Sequence, residues 1–104
     1  MWKIKYHPDA EKDLKKLDDS VKKIVLKGII KVSENPLPKN EGGYGKPLGN
    51  KNKNNLTNLL KIKYKKIGIR VVYKLFRTKN EMYILVISAR TENEVYTLAG
   101  KRKF

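Results

Sequence analysis

The chain contains no cysteine, which excludes disulfides and thiolate metal sites. It has one histidine, His7. That residue precedes Pro8 at a strand-to-helix junction and has no His, Cys or Asp partner at metal-ligand spacing, so its expected role is structural. A lone histidine at this position gives no support to Ser-His-Asp chemistry. No apolar run is long enough to span a bilayer, and the opening residues, MWKIKYHPDA, lack the apolar core of a signal peptide. Acids are scarce, with 10 Asp and Glu against 25 Lys and Arg. They lie mostly in helical and C-terminal stretches, which argues against a paired-carboxylate site or a two-metal nuclease centre. The expectation is a cytoplasmic protein with no cofactor, no metal and no membrane partner.

What is present is basic and globular. A length of 104 residues suits one domain, residues 1–104, with one modest core. A hydrophobic content of 39% separates the chain from disordered basic tails. The net charge of +15 repels itself and points to a polyanionic partner. Nucleic acid fits better than a membrane surface, because no stretch combines a long apolar face with a basic one.

Periodicity orders the elements. Trp2, Ile4 and Tyr6 alternate with Lys3 and Lys5, which predicts a short first strand. Pro8 suits the first turn of a helix, with Asp9 and Glu11 near its positive end. Ala10, Leu14 and Leu17 recur at helical spacing until Asp18-Asp19-Ser20, which break that helix and can cap the next. Val21, Ile24, Val25, Gly28, Ile29 and Val32 form the apolar stripe of a second helix, ended by Pro36 and Pro38. A Gly-, Asn- and Lys-rich loop follows over Lys39–Asn55, anchored at Tyr44 and Leu48. Strands are expected near Leu56–Tyr64, Ile69–Phe76 and Met82–Ala89, then a helix over Thr91–Lys103 with Thr91 as a cap. The order β-α-α-β-β-β-α predicts an α+β fold: an N-terminal helical hairpin on a small antiparallel (mixed) sheet, plus a C-terminal helix. The helices are expected on one face of the sheet.

The segment Leu60–Tyr73, LKIKYKKIGIRVVY, carries the chemistry. Leu60, Ile62 and Tyr64 alternate with Lys61, Lys63 and Lys65, and Ile69, Val71 and Tyr73 alternate with Arg70 and Val72. Strict alternation puts one face in the core and the other in water. No acid occurs from Asn58 to Asn80, whereas a solvated face normally mixes signs. A turn centred between Lys66 and Ile67 sets Lys63 opposite Arg70 and Lys61 opposite Val72, and opposed residues share a face. A slip by one residue would bury Arg70 unpaired, at high cost. Lys61, Lys63 and Arg70 then form one cluster suited to a phosphodiester, with the fork of Arg70 matching phosphate geometry. Any one of these lysines, taken alone, is equally well explained as a solvated strand position on a Lys-rich chain.

A second constellation is Arg90-Thr91-Glu92-Asn93-Glu94-Val95-Tyr96. Arg90 follows the last strand, and Tyr96 lies near the start of the last helix. An aromatic beside clustered cations can stack on an exposed base. A core tyrosine and a surface Arg90–Glu94 or Arg90–Glu92 ion pair account for the same residues.

In these segments, and in Val86-Ile87-Ser88, Leu48-Gly49 and Glu94-Val95-Tyr96 followed by Ala99, Lys101 and Arg102, the chain resembles the RelE/ParE toxin superfamily, its RelE branch most closely. The resemblance spans nearly the whole chain in element order. It implies a type II toxin: a ribosome-dependent, metal-free endoribonuclease that cuts mRNA in the A site by attack of a ribose 2′-hydroxyl. It implies roles for Lys61 and Lys63 in activating that hydroxyl and holding the phosphate. Arg70 would stabilise the transition-state charge, Arg90 would act at the leaving oxygen, and Tyr96 would stack on the base. Lys65, Lys66, Lys101 and Arg102 are expected to add RNA contacts. The implied partners are a cognate antitoxin and the ribosome with its mRNA. A ParE-like gyrase inhibitor without nuclease activity and a non-catalytic RNA-binding domain are the competing readings.

Overall fold

Alternation along Lys3–Tyr6 produces β1, whose apolar side chains turn toward the helices. A computed structural model describes the chain at residues 1–48 and 58–102, apart from the side chain of Glu92. Helix α1 spans Pro8–Lys15, and His7 is its N-cap, with Nδ1 accepting from the Asp9 amide at 3.0 Å. The single histidine is therefore a capping group. Helix α2 spans Asp19–Ser33; Asp18 stands at its N-cap but makes no side-chain cap bond. Val25, Ile29 and Val32 are buried, whereas Ile24, expected in the same stripe, lies on the flank and is exposed.

Four further strands follow: β2 (Lys46–Pro47), β3 (Leu59–Tyr64), β4 (Ile69–Phe76) and β5 (Glu81–Ser88), and then helix α3 (Glu92–Lys101). The sheet order is β1-β5-β4-β3-β2, with β1 parallel to β5 and the other pairs antiparallel. The short β2 was not expected from sequence. The expected start of β3 at Leu56, the expected end of the last helix at Lys103, and Gly49 of the Leu48-Gly49 anchor lie outside the described residues. Leu48 itself is buried.

The helices do not share one face. The α1–α2 hairpin covers a core containing Val25, Ile29, Leu60, Ile69, Val71, Tyr73, Ile84 and Ile87. Helix α3 covers the opposite face, where Val95, Tyr96 and Ala99 meet Leu59, Val72, Leu85 and Val86. The cause is a bulge in the β4–β5 pairing. Val72 pairs with Val86 but Tyr73 pairs with Ile84, leaving Leu85 as the extra residue. Leu85 and Val86 therefore both join the second core. That apolar patch needs cover, and α3 supplies it.

Two tyrosines, Tyr73 buried and Tyr64 half-buried, fix the first face. Tyr64 Oη donates to the Val25 carbonyl in α2 at 2.7 Å, and Tyr73 Oη donates to the Pro36 carbonyl at 2.7 Å. Burial pushes both phenols well above their usual pKa, so both remain donors. The Tyr64 ring lies against Gly28, where any Cβ would overlap it. Gly28 thus sits mid-helix in spite of its poor propensity. Gly28→Ala is expected to lower stability by about 1–2 kcal/mol, because overpacking outweighs the roughly 1 kcal/mol gain in helix propensity. A urea midpoint equal to or above wild type would refute this.

Candidate functional site

The β3–β4 register is Leu60↔Tyr73, Lys61↔Val72, Ile62↔Val71, Lys63↔Arg70 and Tyr64↔Ile69, the pairing expected from sequence. Burial of Ile69, Val71 and Tyr73 on one face forces Arg70 and Lys63 onto the other. Arg70 also pairs with Ser88, so Lys63, Arg70 and Ser88 form one row across three strands. The next row runs Lys46, Lys61, Val72, Val86.

Arg70 is half-buried at the centre of the first row. Its Nη1 donates to the Arg90 carbonyl at 3.3 Å. Its Nε is buried and has no hydrogen-bond partner. A guanidinium offers five donors in a planar fork, and an unmatched buried donor is costly without an acceptor. Arg70 with Lys63, Lys65, Tyr64, Gly68 and Ile69 lines an open cavity of about 160 Å³ at the hairpin end. This group is cationic and includes a planar guanidinium, which suits an anion with several acceptor oxygens.

Lys61 is half-buried and donates to Tyr96 Oη at 2.7 Å. Its ammonium is 5.4 Å from the ring centroid. The two distances put it out along the C–O direction, beyond the ring edge, and not over the π face that a cation–π contact requires. Tyr96 is 1% exposed and belongs to the α3 core. Its expected role as a stacking aromatic finds no free ring face in this arrangement; what Tyr96 offers the site is its hydroxyl. Thr91 Oγ1 accepts from the Glu94 amide at 3.3 Å and caps α3, as expected.

Arg90 is exposed, and its amide donates to Ser88 Oγ at 3.1 Å. Its backbone is thus joined to Arg70, but its side chain borders two other depressions, one with Asp13, Leu17 and Leu98 and one with Asn93, Thr97 and Lys101. The structure therefore brings Lys63, Arg70 and Lys65 together, holds Lys61 beside Tyr96, and leaves the Arg90 side chain outside the Arg70 cavity. Lys66 is exposed in the hairpin turn, and Lys101 is exposed on α3.

Arg102, expected to touch RNA, is engaged within the fold. Strand β1 stops at Tyr6↔Ile84, so the β5 edge beyond it has no strand neighbour. Arg102 Nη1 donates to the Leu85 carbonyl at 2.6 Å, and Asp13 Oδ2 accepts from the Ile87 amide at 3.0 Å. The two side chains bond each other at 2.7 Å and are only 12% and 17% exposed. Together they stand in for the missing strand and tie the end of α3 to α1.

Lys46 is the cation that sequence reasoning missed. It lies directly opposite Lys61 through β2, a strand too short to show any periodicity. Its ammonium pKa is lowered, first by Lys39, then by desolvation, then by Lys65, Lys61 and Lys63. Among the described residues, no group of three or more His, Asp or Glu is placed to hold a metal.

Comparison with known proteins agrees with this fold. The model of the ParE toxin of type II toxin–antitoxin systems matches residues 4–94, and the chain belongs to this RelE/ParE family of toxins. A RelE-like toxin protein of Escherichia coli is 24% identical over 97% of this chain and 96% of its own length. Among solved structures, a mutant of the E. coli toxin RelE in the free state superposes with a TM-score of 0.77 at 24% identity, covering 99% of this chain and 98% of that one. The isolated E. coli RelE toxin gives a TM-score of 0.71 at 23% identity, with 97% of each chain covered. A toxin–antitoxin complex from Mycobacterium tuberculosis gives 0.69 at 21% identity, covering 86% of this chain and 98% of that one.

Removing Arg102 leaves the largely buried Asp13 carboxylate without its cation and the Leu85 carbonyl without its donor. Arg102→Ala is expected to destabilise the fold by about 3 kcal/mol. Denaturation should reveal this directly, and a loss under about 0.5 kcal/mol would place Arg102 among ordinary surface cations.

Proposed function

We propose that this toxin is a metal-free endoribonuclease that cleaves mRNA on the ribosome, and that the β3–β4 hairpin supplies its phosphate site. The observation that carries the reading is Arg70: a half-buried guanidinium, beside Lys63, whose buried Nε has no partner. In the proposed reaction the ribose 2′-oxygen attacks the adjacent phosphorus and the 5′-oxygen leaves. The products are a 2′,3′-cyclic phosphate and a 5′-hydroxyl. The 2′-hydroxyl gives up one proton and the leaving oxygen gains one. Lys61 and Lys63 flank the attacking hydroxyl and the phosphate. Arg70 holds the charge that develops on the phosphorane-like transition state, and preorganised cations of this kind are often the largest catalytic contribution. Arg90 stabilises the leaving oxygen by charge, since an arginine scarcely gives up a proton near neutral pH. Tyr96 contributes through Lys61, whose ammonium its hydroxyl holds at 2.7 Å.

The reading includes a cognate antitoxin. The similar solved structures include complexes of a toxin with its antitoxin from E. coli and from M. tuberculosis. A small acidic or amphipathic chain covering the basic face would suit a charge of +15. The reading also places the protein's action in the cytoplasm. The second reading, a gyrase inhibitor on the same fold, is favoured by one observation, the match to the ParE toxin model.

Primer extension on mRNA, with and without ribosomes, tests the proposal. Lys61→Ala, Arg70→Ala and Arg90→Ala should each lower cleavage by about 100-fold or more while ribosome binding persists. No cleavage by the wild type, together with inhibited DNA supercoiling, would put the gyrase reading in its place. Tyr96→Phe keeps the ring and removes the hydroxyl, so cleavage should fall about 10- to 100-fold through a misplaced Lys61. A wild-type rate in Tyr96→Phe would show that the hydroxyl contact has no part in the reaction.

A further inference from the structure

The cations around Lys46 come from three separate segments. Lys39 opens the turn at Lys39–Glu41, and its amide donates to the Gly45 carbonyl at 2.9 Å, next to Lys46. Lys46 pairs with Lys61 across β2–β3, so both side chains rise from one face. Lys63 and Lys65 follow along β3 and into the turn. The four charges that act on the Lys46 ammonium are all positive. The one acid between Lys39 and Tyr64 is Glu41. It is engaged by a two-bond pair with Arg77, both bonds 2.7 Å, and that pairing holds its carboxyl below the usual range. Nothing in this loop therefore offsets the cations.

The direction of this charge is informative. Toward the sheet centre the same face is closed, since Val72 and Val86 are buried under α3. Outward from Arg70 the register carries the cations through Lys63 and Lys61 to Lys46 on the edge strand. From β4 to β2 is two strand spacings, about 10 Å. Edge lysines commonly serve only to block strand pairing, but blocking does not require three segments to converge on one spot.

We infer that Lys46 and Lys39 form a second phosphate site, which takes a single-stranded RNA backbone next to the phosphate held at Arg70. This rests on the proposed function. The RNA leaves the hairpin over the β2 edge, and the two lysines act as point charges on its backbone without reading sequence. The phosphate could belong to the cleaved mRNA or to ribosomal RNA.

The test is the salt dependence of binding. The probe is a short fluorescein-labelled 2′-O-methyl RNA, which cannot undergo 2′-hydroxyl attack, with ribosome cosedimentation as the second arm. Each lost phosphate contact lowers the log–log salt slope by about 0.7 on single strands. Lys39→Ala/Lys46→Ala should lower it by about 1.4, and Lys46→Arg should restore its share. Lys3→Ala/Lys5→Ala removes the same charge at the opposite sheet edge and should leave the slope unchanged. A drop on the oligonucleotide assigns the site to the substrate strand, and a drop on ribosomes alone assigns it to ribosomal RNA. An unchanged slope in both arms, or an equal drop in the Lys3/Lys5 control, overturns the inference. Cleavage by the wild type is scored separately by primer extension. Cleavage with unchanged slopes removes only the second phosphate site. A slope drop without cleavage removes the nuclease reading and keeps the site.

Discussion

The guanidinium of Arg70 cannot be packed unpaired into the apolar row of Ile69, Val71 and Tyr73, and the candidate site depends on that constraint. Ile69, Val71 and Tyr73 occupy the core face of β4 under α2. Arg70 must therefore stand on the other face, and the pairing must set Lys63 beside it. A slip of one residue would exchange every side chain between the faces. The apolar core thus holds like charges together, although they repel. The neighbouring cations lower the ammonium pKa of Lys46, a local conflict of the kind common where an anion is bound.

The second face depends on a different device. The β5 bulge turns Leu85 and Val86 toward the same side, which creates a patch that α3 covers. Because β1 ends opposite Ile84, Leu85 and Ile87 carry backbone groups with no strand beside them on that edge. Asp13 and Arg102 satisfy those groups and each other. One ion pair therefore closes a sheet edge and anchors the helix that carries Tyr96. Tyr96 in turn holds the Lys61 ammonium. Edge, helix and candidate site form one physical chain of contacts.

Much of this was legible in the residues. Period-two alternation located β1, β3 and β4, an apolar run located β5, and the burial cost of Arg70 chose the correct hairpin register. The Pro8 and Thr91 signals marked helix starts. Three features were not legible. Strand β2 has two residues, too few for any period, so the position of Lys46 beside Lys61 could not be read. The bulge at Leu85 has no local signature in an unbroken apolar run, so α3 was expected on the wrong face. Arg102 is chemically identical to an RNA-binding arginine until Asp13, 89 residues away, is brought against it.

By itself, the sequence determined that the protein is basic, that its two central strands pair with Lys63 against Arg70, and that thiolate chemistry is excluded. Those follow from composition and from local alternation, which need no distant partner. Only the tertiary structure decided which side chains the site can use. It drew Tyr96 into the core with its hydroxyl on Lys61, committed Arg102 to the sheet edge, left Arg90 out of the lining of the Arg70 cavity and placed Lys46 opposite Lys61 on the edge strand. Each of these turns on a contact between segments far apart in the chain. The physical reason is that whether a charge serves the fold or a ligand depends on what is packed beside it.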